Sequence, residues 1–171
     1  MTLRTTIVLL LGALAIAVTL GCGDGESSEE EQRAEVATAL DALAADLAQN
    51  RPVDTDAYTE RLQRYLEANP SFFFGSAAAL LDRSGAVIAS PYVYRTSDGY
   101  ASLDLAEPSY NIEAQEWFAA PLAENGSTWT EPYFDEGGGD IWMVTRSVPV
   151  SDSEGVFAIV TTDLAVEAPA R

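Results

Sequence analysis

Apolar residues in the segment from position 30 to position 50 recur with the period of a helix. They fall at i, i+4, i+7 and i+11 on one stripe of an alanine-rich stretch, at Val36, Leu40, Leu43 and Leu47. This pattern predicts a long helix that starts near Glu30 and ends at Asn50-Arg51-Pro52, where proline cannot continue it. The stripe suits packing against the chain's own domain as well as pairing with a second copy in a homodimer, and the sequence leaves both open.

A second amphipathic segment follows directly. Asp54 is a typical N-cap residue, and the apolar face behind it predicts a helix that ends before Asn69-Pro70. That face consists of Tyr58, Leu62, Tyr65 and Leu66. Two helices are therefore expected to precede the rest of the domain.

After the second helix the pattern changes to that of strands. A dense apolar run over residues 72–81 and a returning strand over 86–90 flank the hairpin turn Asp82-Arg83-Ser84-Gly85. Residues 91–95 are predicted to continue extended into an irregular stretch around Asp98-Gly99. The first part of the sheet is therefore expected to be a hairpin.

The last part of the chain combines one more helix with three strands. Residues 113–122 have the composition of a short helix, and strands are predicted over 128–134, 141–150 and 156–164, with glycine-containing turns between them. Strands that follow one another through tight turns pair in antiparallel fashion. The predicted fold class is therefore α+β, an antiparallel sheet with a long N-terminal helix and short flanking helices.

The N-terminus has the pattern of an export signal. Arg4 and the apolar run over residues 7–20 lead to Thr19-Leu20-Gly21-Cys22, which resembles the lipobox of bacterial lipoproteins, with threonine where leucine is usual. Cleavage there would remove residues 1–21 as a signal peptide and leave Cys22 lipidated, with two acyl chains anchoring it to the outer face of a membrane, at the cell surface or in the periplasm. The alternative is an uncleaved spanning helix, for which the run is short against the about 20 residues required.

The remaining sequence divides into a tether and one domain. Residues 22–32 are polar and acidic beyond the cysteine and predict a solvated tether. Residues 33–171 are expected to form a single domain, because a chain of 171 residues is long enough for one core and short for two.

Charge and composition exclude several functions. The net charge is -18 and every basic residue is arginine, so the surface repels phosphates and nucleic-acid binding is excluded. The acidity fits salt adaptation, solubility or steering of cationic ligands, and charge alone does not separate them.

The chain has no histidine, which removes Ser-His and Cys-His nucleophile pairs and histidine-ligated zinc. No enzymatic activity and no cofactor are predicted. Asp135, Glu136 and Asp140 lack EF-hand spacing and are expected to form a solvated turn without metal.

The segment from Tyr110 to Asp135 concentrates aromatic rings and carboxylates. Rings supply apolar walls and π faces for an ammonium group, and buried carboxylates are costly unless a positive group meets them. Simpler readings exist: Trp117 and Phe118 suit core packing, Asp135 could close a turn, and Asp163 could cap the last strand. The other two tryptophans, Trp129 and Trp142, are assigned to packing.

Residues from about Asn69 to Asp163 resemble the Cache domains, the PAS-like extracytoplasmic sensor modules of chemoreceptors, sensor kinases and phosphatase regulators. The resemblance rests on Asn69-Pro70, the hairpin at Gly85, Tyr110 with Trp117-Phe118, Trp129-Thr-Glu-Pro-Tyr133-Phe-Asp135, Val144-Thr-Arg-Ser-Val-Pro-Val150 and Val160-Thr-Thr-Asp163-Leu164. It implies a PAS-like sheet behind a long helix, with 33–171 as one sensor domain.

Many amino-acid-binding Cache modules share one set of pocket residues. A tyrosine is followed by an arginine five residues later, a tryptophan two further on, a Tyr-x-Asp triplet and a final aspartate. The matching positions here are Tyr110, Gln115, Trp117, Tyr133-Phe134-Asp135 and Asp163. The resemblance implies that the two aspartates, helped by Tyr133, accept hydrogen bonds from a ligand's ammonium, while the residues at 110, 115 and 117 hold its carboxylate.

The chain departs from that pattern at Gln115 and Phe118. Glutamine offers a neutral donor in place of a planar charged fork, so bidentate carboxylate recognition is lost. Phe118 lacks the hydroxyl of the tyrosine that is common there, and Glu116 adds negative charge. These changes favour an amine or another amino-acid-like cation as the ligand.

Two functions of different class follow from the sequence. The first is a lipid-anchored extracytoplasmic sensor module that binds a small cation and acts through a separate membrane receptor or sensor protein, because no apolar segment follows the last predicted strand. The second is a structural or interaction lipoprotein with a Cache-like fold whose pocket has degenerated. A receptive pocket distinguishes the first from the second.

Overall fold

The computed structural model describes residues 28–169, and over this range an antiparallel sheet is packed between helices. The order is α1 (Glu29–Gln49), α2 (Thr55–Ala68), β1 (Phe73–Leu81), β2 (Val87–Ala89), β3 (Pro91–Thr96), β4 (Gly99–Asp104), a 3₁₀ turn (Ile112–Ala114), α3 (Glu116–Glu124), β5 (Thr128–Trp129), β6 (Tyr133–Phe134), β7 (Trp142–Asp152) and β8 (Gly155–Ala165). The predicted α+β class is confirmed. The signal peptide, Cys22 and the start of the tether lie outside the described residues.

Helix α1 begins earlier than the predicted domain boundary. Ser28 and Glu31 form a capping box: the Glu31 amide donates to Ser28 Oγ at 3.3 Å, and the Ser28 amide donates to Glu31 Oε2 at 2.9 Å. Three glutamates in the first turn also suit the positive end of the helix dipole. Residues 29–32, predicted to belong to the tether 22–32, are therefore helical.

The apolar stripe of α1 is buried by the domain itself. All four stripe residues are buried, and α1 packs on β7 and β8. Asp54 caps α2 as predicted, accepting from the Ala57 amide at 2.9 Å, and α2 packs on β1 and β3. Packing of the stripe within the domain is therefore observed, and pairing of a second copy through this helix stays a prediction.

The sheet has the strand order β4-β3-β1-β8-β7-β5, with β2 pairing β1 and β6 pairing β7, and every pairing is antiparallel. The long strands β1, β8 and β7 form its centre. Side chains alternate between the two faces. One face packs against α1 and α2, and the other packs against α3 and the 3₁₀ turn, so both faces are covered.

Three local predictions differ from the structure. The stretch around Asp98-Gly99 is a hairpin that leads into β4, with Gly99 at φ +129° turning the chain. The strand predicted over 128–134 is divided into β5 and β6, because Pro132 between them has no amide to donate to a ladder. The helix predicted over 113–122 is divided at Gln115 into the 3₁₀ turn and α3.

Arg95 ties the end of α2 to the start of β1. Its guanidinium donates to the carbonyl oxygens of Leu66, of Asn69 at 3.1 Å and of Phe73 at 2.9 Å. The C-terminal carbonyls of a helix lack partners within it, so a half-buried cation is well suited to this position. The contact fixes where β1 begins.

Within residues 28–169 no helix is long and apolar enough to cross a membrane.

Candidate ligand-binding site

The predicted site residues meet on the sheet face opposite α1 and α2. Asp163 lies on β8, and its strand neighbours are Thr145 on β7 and Gly75 on β1. Asp135 follows β6, Tyr110 lies just before the 3₁₀ turn, and Trp117 lies on α3. The sheet centre therefore supplies one carboxylate and the covering segments supply the other.

Asp163 is held by a chain of hydroxyl groups. Its side chain is buried, and its Oδ1 accepts a hydrogen bond of 2.8 Å from Thr145 Oγ1. Because that hydroxyl gives its proton to Asp163, the 2.9 Å contact between Tyr133 Oη and Thr145 Oγ1 is donated by Tyr133. The Thr145 amide donates in turn to Thr130 Oγ1 at 3.0 Å. Asp163 lies inside β8, so it does not cap the end of a strand.

Asp135 both closes a turn and faces the site. Its carbonyl accepts from the Asp140 amide at 2.9 Å, which is the turn-closing role. Its buried carboxylate accepts from Tyr110 Oη at 2.6 Å and from the Gly139 amide at 2.9 Å. Trp117 Nε1 donates to Tyr110 Oη at 3.1 Å. A relay of donors thus runs from the tryptophan through the tyrosine to the carboxylate.

Gln115 and Phe118 have structural contacts. Gln115 Nε2 donates to the carbonyl of Tyr110 at 3.1 Å, and Gln115 precedes the first residue of α3 in extended conformation. Phe118 is buried, and its ring meets that of Trp117 edge-on with centroids 6.1 Å apart. Gln115 therefore holds the segment that carries Tyr110, and Phe118 packs in the core beside Trp117.

The two carboxylates lack a positive partner in the part of the chain that the structure describes. Each described ion pair involves other acidic residues. Burial, followed by the charge of Asp135, raises the pKa of Asp163 to about 7. Burial also raises the pKa of Asp135, while hydrogen bonds from Tyr110 and the Gly139 amide oppose that rise. Burial and the nearby carboxylates raise the pKa of the Tyr110 and Tyr133 hydroxyls, which remain protonated donors.

A cleft of about 940 Å³ opens beside Asp135. Its lining includes Leu103, Leu105, Tyr110, Gln115, Phe134 and Glu136. Its lining contains no basic residue among the described positions. A ligand that reaches Asp135 from this cleft therefore meets negative potential along the way.

Sequence reasoning missed three residues of the site. Thr145 and Thr130 connect the hydroxyl chain, and Tyr92 of β3 lies with its ring in the same cluster. The available signal was the alternation of β7, which places Thr145 on the same face as Met143. Identifying their partners required the register of β7 against β8.

Several solved structures have a similar fold. The extracellular domain of soHK1S-Z6, a protein assigned as a histidine kinase, matches with a TM-score of 0.68 and 27% identity, covering 80% of this chain and 54% of that one. The corresponding domain of mmHK1S-Z3 matches with a TM-score of 0.62 and 20% identity, covering 80% and 52%. The ligand-binding domain of the Campylobacter jejuni chemoreceptor Tlp3 in complex with L-valine matches with a TM-score of 0.61 and 15% identity, covering 80% and 53%.

These similarities show that the chain has the PAS-like α+β fold. The chain belongs to the family described as methyl-accepting chemotaxis protein-like, first PDC sensor domain, whose model matches residues 58–168. The Cache-like resemblance is thereby confirmed. The chain spans about half the length of the solved structures that it matches. A search of curated proteins finds no match.

Proposed function

We propose that this chain is the ligand-binding module of an extracytoplasmic sensor, and that its ligand is a small amine or amino-acid-like cation. The supporting observation is a pair of buried carboxylates, Asp135 and Asp163, with donors around them and no described cation against them. Burial of a charge is costly unless an opposite charge meets it, and a ligand ammonium would supply that charge. A sensing role without catalysis agrees with the family to which the chain belongs.

Gln115 sets the preference between amines and amino acids. Its amide nitrogen already donates to the Tyr110 carbonyl. Because the amide is also neutral, the side chain presents no charged donor to a ligand carboxylate. The ligand's ammonium therefore contributes most of the binding energy, and a carboxylate on the ligand adds little. The Tlp3 domain was crystallised with L-valine, so a ligand of about the size of valine is a suitable first choice.

The degenerate-pocket alternative has one observation in its favour. Asp135 already accepts two hydrogen bonds, from Tyr110 and from the Gly139 amide, so the protein itself partly satisfies this carboxylate. A carboxylate has about four acceptor positions, so two remain for a ligand. Binding experiments distinguish a site that takes up a ligand from a site whose carboxylates are satisfied by the protein alone.

A thermal-shift experiment with three matched probes tests the proposal. Residues 23–171 serve as the protein, since every described helix and strand lies within them. The probes are isobutylamine, L-valine and isobutyrate, which share one apolar group and carry an amine, both groups or a carboxylate alone. Isobutylamine and L-valine are expected to raise the melting temperature by mass action, and isobutyrate is not. Stabilisation by isobutyrate alone, or by none of the probes, would contradict the proposal.

We further propose that Cys22 is lipidated after removal of residues 1–21 and that the module acts through a separate membrane receptor. The sequence 19–22 supports the first part. Expression in a bacterium with radiolabelled palmitate should label the wild-type chain, and the Cys22→Ser variant should be unlabelled. Equal labelling of both would exclude this anchor. Crosslinking from membranes then identifies the receptor partner.

A further inference from the structure

The cleft beside Asp135 is acidic at its mouth as well as at its inner end. Its lining carries the carboxylates of Asp104, Glu107, Asp135 and Glu136. Asp135 is only 4% exposed and has no cationic partner among the described residues, whereas the other three are exposed. Asp104 already accepts from two backbone amides. Within residues 28–169, no hydrogen bond or ion pair engages the carboxylates of Glu107 and Glu136.

These carboxylates are too dispersed to hold a metal ion. A hard cation such as Ca²⁺ requires about six to eight oxygen ligands that converge on one point. Among the described residues, no group of three acidic side chains is placed to do so. Separated carboxylates are instead matched by a ligand whose own positive charges are separated along its length.

Tyr110 sets the spacing between the buried carboxylate and one at the mouth. Its amide donates to the Glu107 carbonyl at 3.0 Å, and its hydroxyl donates to Asp135 Oδ1 at 2.6 Å. The length of one tyrosine residue therefore separates the backbone of Glu107 from the carboxylate of Asp135. Because Tyr110 itself lines the cleft, a ligand that lies along its ring extends from Asp135 toward Glu107.

Apolar side chains form part of the same lining. Besides the ring of Tyr110 they are Leu103, Leu105 and Phe134. Phe134 is 46% exposed, and its ring meets that of Trp142 edge-on with centroids 6.1 Å apart. Methylene groups of a ligand would cover this apolar surface and remove it from water. The cleft volume of about 940 Å³ also accommodates a ligand much longer than a single ammonium group.

We propose that the site selects linear aliphatic diamines over monoamines. One ammonium group binds Asp135, and the second binds at the mouth beside Glu107 and Glu136. The methylene chain lies along Tyr110 and Phe134. This inference rests on the proposed function, because it adds a second cation subsite to the one that holds the first ammonium. The second subsite is exposed, so its ion pairs contribute less than the buried carboxylate does.

Calorimetric titration with two matched probes tests the selection. Cadaverine and pentylamine share one unbranched alkyl chain, and cadaverine carries a second amine at its other end. Both are titrated into residues 23–171 at low ionic strength, where screening of exposed charges is weak. Wild type is expected to bind cadaverine about tenfold more tightly than pentylamine, of which about twofold is statistical because either end can enter.

Two double variants separate the second subsite from net charge. Glu107→Gln/Glu136→Gln removes the charge at the mouth, and the affinity ratio of cadaverine to pentylamine is expected to fall to about twofold. Glu60→Gln/Glu124→Gln is the matched control, since it removes two exposed glutamates that do not line the cleft. Its affinity ratio should stay at about tenfold.

Each outcome of the titration has a defined meaning. A wild-type ratio of only about twofold would overturn the selection while leaving the amine site in place. An equal fall of the ratio in both double variants would also overturn it, because net charge alone would then explain the preference. Absence of binding of both probes to wild type would overturn the proposed function as well.

Melting of the ligand-free variants is the second readout. All four replaced side chains are exposed, so the two double variants should melt at the same temperature. A large drop confined to Glu107→Gln/Glu136→Gln would assign these glutamates to the fold and overturn their role at the second subsite.

Discussion

Tyr110 Oη donates a 2.6 Å hydrogen bond to Asp135 Oδ1, and this contact joins the segment before α3 to the loop after β6. The same hydroxyl oxygen accepts from Trp117 Nε1 at 3.1 Å. A hydroxyl that donates to a buried carboxylate stabilises the charged form of that carboxylate and fixes the orientation of its side chain. The wall of the site and its acidic group are therefore positioned by one side chain.

Removal of this hydroxyl should destabilise the fold. In Tyr110→Phe the Asp135 carboxylate loses a donor and Trp117 Nε1 loses its acceptor, so the free energy of unfolding should fall by about 2 kcal/mol. Urea denaturation measures this change. Tyr94→Phe, whose hydroxyl takes part in no described hydrogen bond and whose ring packs on Tyr92, is the control and should stay within about 0.5 kcal/mol of wild type. Equal stability of Tyr110→Phe and wild type would show that the contact contributes nothing.

Replacement of Asp163 by asparagine should stabilise the ligand-free protein and abolish ligand binding. Asparagine keeps the oxygen that accepts from Thr145 and removes a buried charge that has no described cation. Above pH 7 the gain should exceed about 1 kcal/mol by urea denaturation. Asp98→Asn, at an exposed turn, is the matched control and should change neither property. A destabilised Asp163→Asn would indicate that the charge is part of the fold.

The pH dependence of stability has a defined sign. Burial raises the folded-state pKa of Asp163 from the ordinary 3.8 to about 7. Between these values the folded state holds more protons than the unfolded state, so stability falls as pH rises from about 4 to about 7. Other acidic groups also make the free energy of unfolding depend on pH. The test is therefore the difference in this free energy between wild type and Asp163→Asn. That difference should grow across this window, and a constant difference would contradict the assignment.

Ligand affinity should rise with pH over the range in which the stability of the ligand-free protein falls. A cation binds the ionised form of Asp163, so its affinity should rise as pH increases toward and past about 7, and binding should release a proton. Calorimetry in two buffers of different ionisation enthalpy measures that proton. Affinity that is independent of pH across the titration of Asp163 would place the ligand away from this carboxylate.

Introduction of arginine at position 115 should change the ligand preference. Gln115→Arg supplies the charged fork that binds a carboxylate in bidentate fashion, in place of the neutral amide that donates to the Tyr110 carbonyl. The affinity ratio of L-valine to isobutylamine is expected to increase by about tenfold or more. An unchanged ratio would mean that position 115 does not face the ligand's carboxylate.

Loss of the Arg95 contacts should loosen the junction between α2 and β1. Arg95→Gln leaves carbonyl groups of Leu66, Asn69 and Phe73 without their donor and should cost about 2–4 kcal/mol in the free energy of unfolding. Arg64→Gln, at an exposed position of the same helix, is the control. If both variants lost the same free energy of unfolding, the effect would come from the change in net charge and not from the hydrogen bonds of Arg95.

Sequence pattern was sufficient for the helices and the long strands. The stripe of α1 and the cap at Asp54 have local causes, so periodicity and capping chemistry locate both helices within a residue or two. Strand β4 is absent from the predictions because they place an irregular stretch around Asp98-Gly99, although this pair is a typical hairpin turn. Local signals predict local structure well.

The candidate site shows the limit of sequence reasoning. The resemblance supplied Tyr110, Asp135 and Asp163, whereas Tyr92 and Thr145 become visible only through strand register. Register joins residues far apart in the chain, and no local pattern encodes which hydroxyl meets which carboxylate. The roles of all these residues toward a ligand stay predictions until binding is measured.

The most direct test of the central claim is calorimetric titration of isobutylamine into wild type and into the double variant Asp135→Asn/Asp163→Asn, at a pH above the pKa of Asp163. The wild-type protein should bind with one-to-one stoichiometry, and the double variant, which keeps the shape of both side chains without their charge, should show no binding. Binding of equal affinity to both proteins would contradict the account, because the ammonium would then be held without the two buried carboxylates.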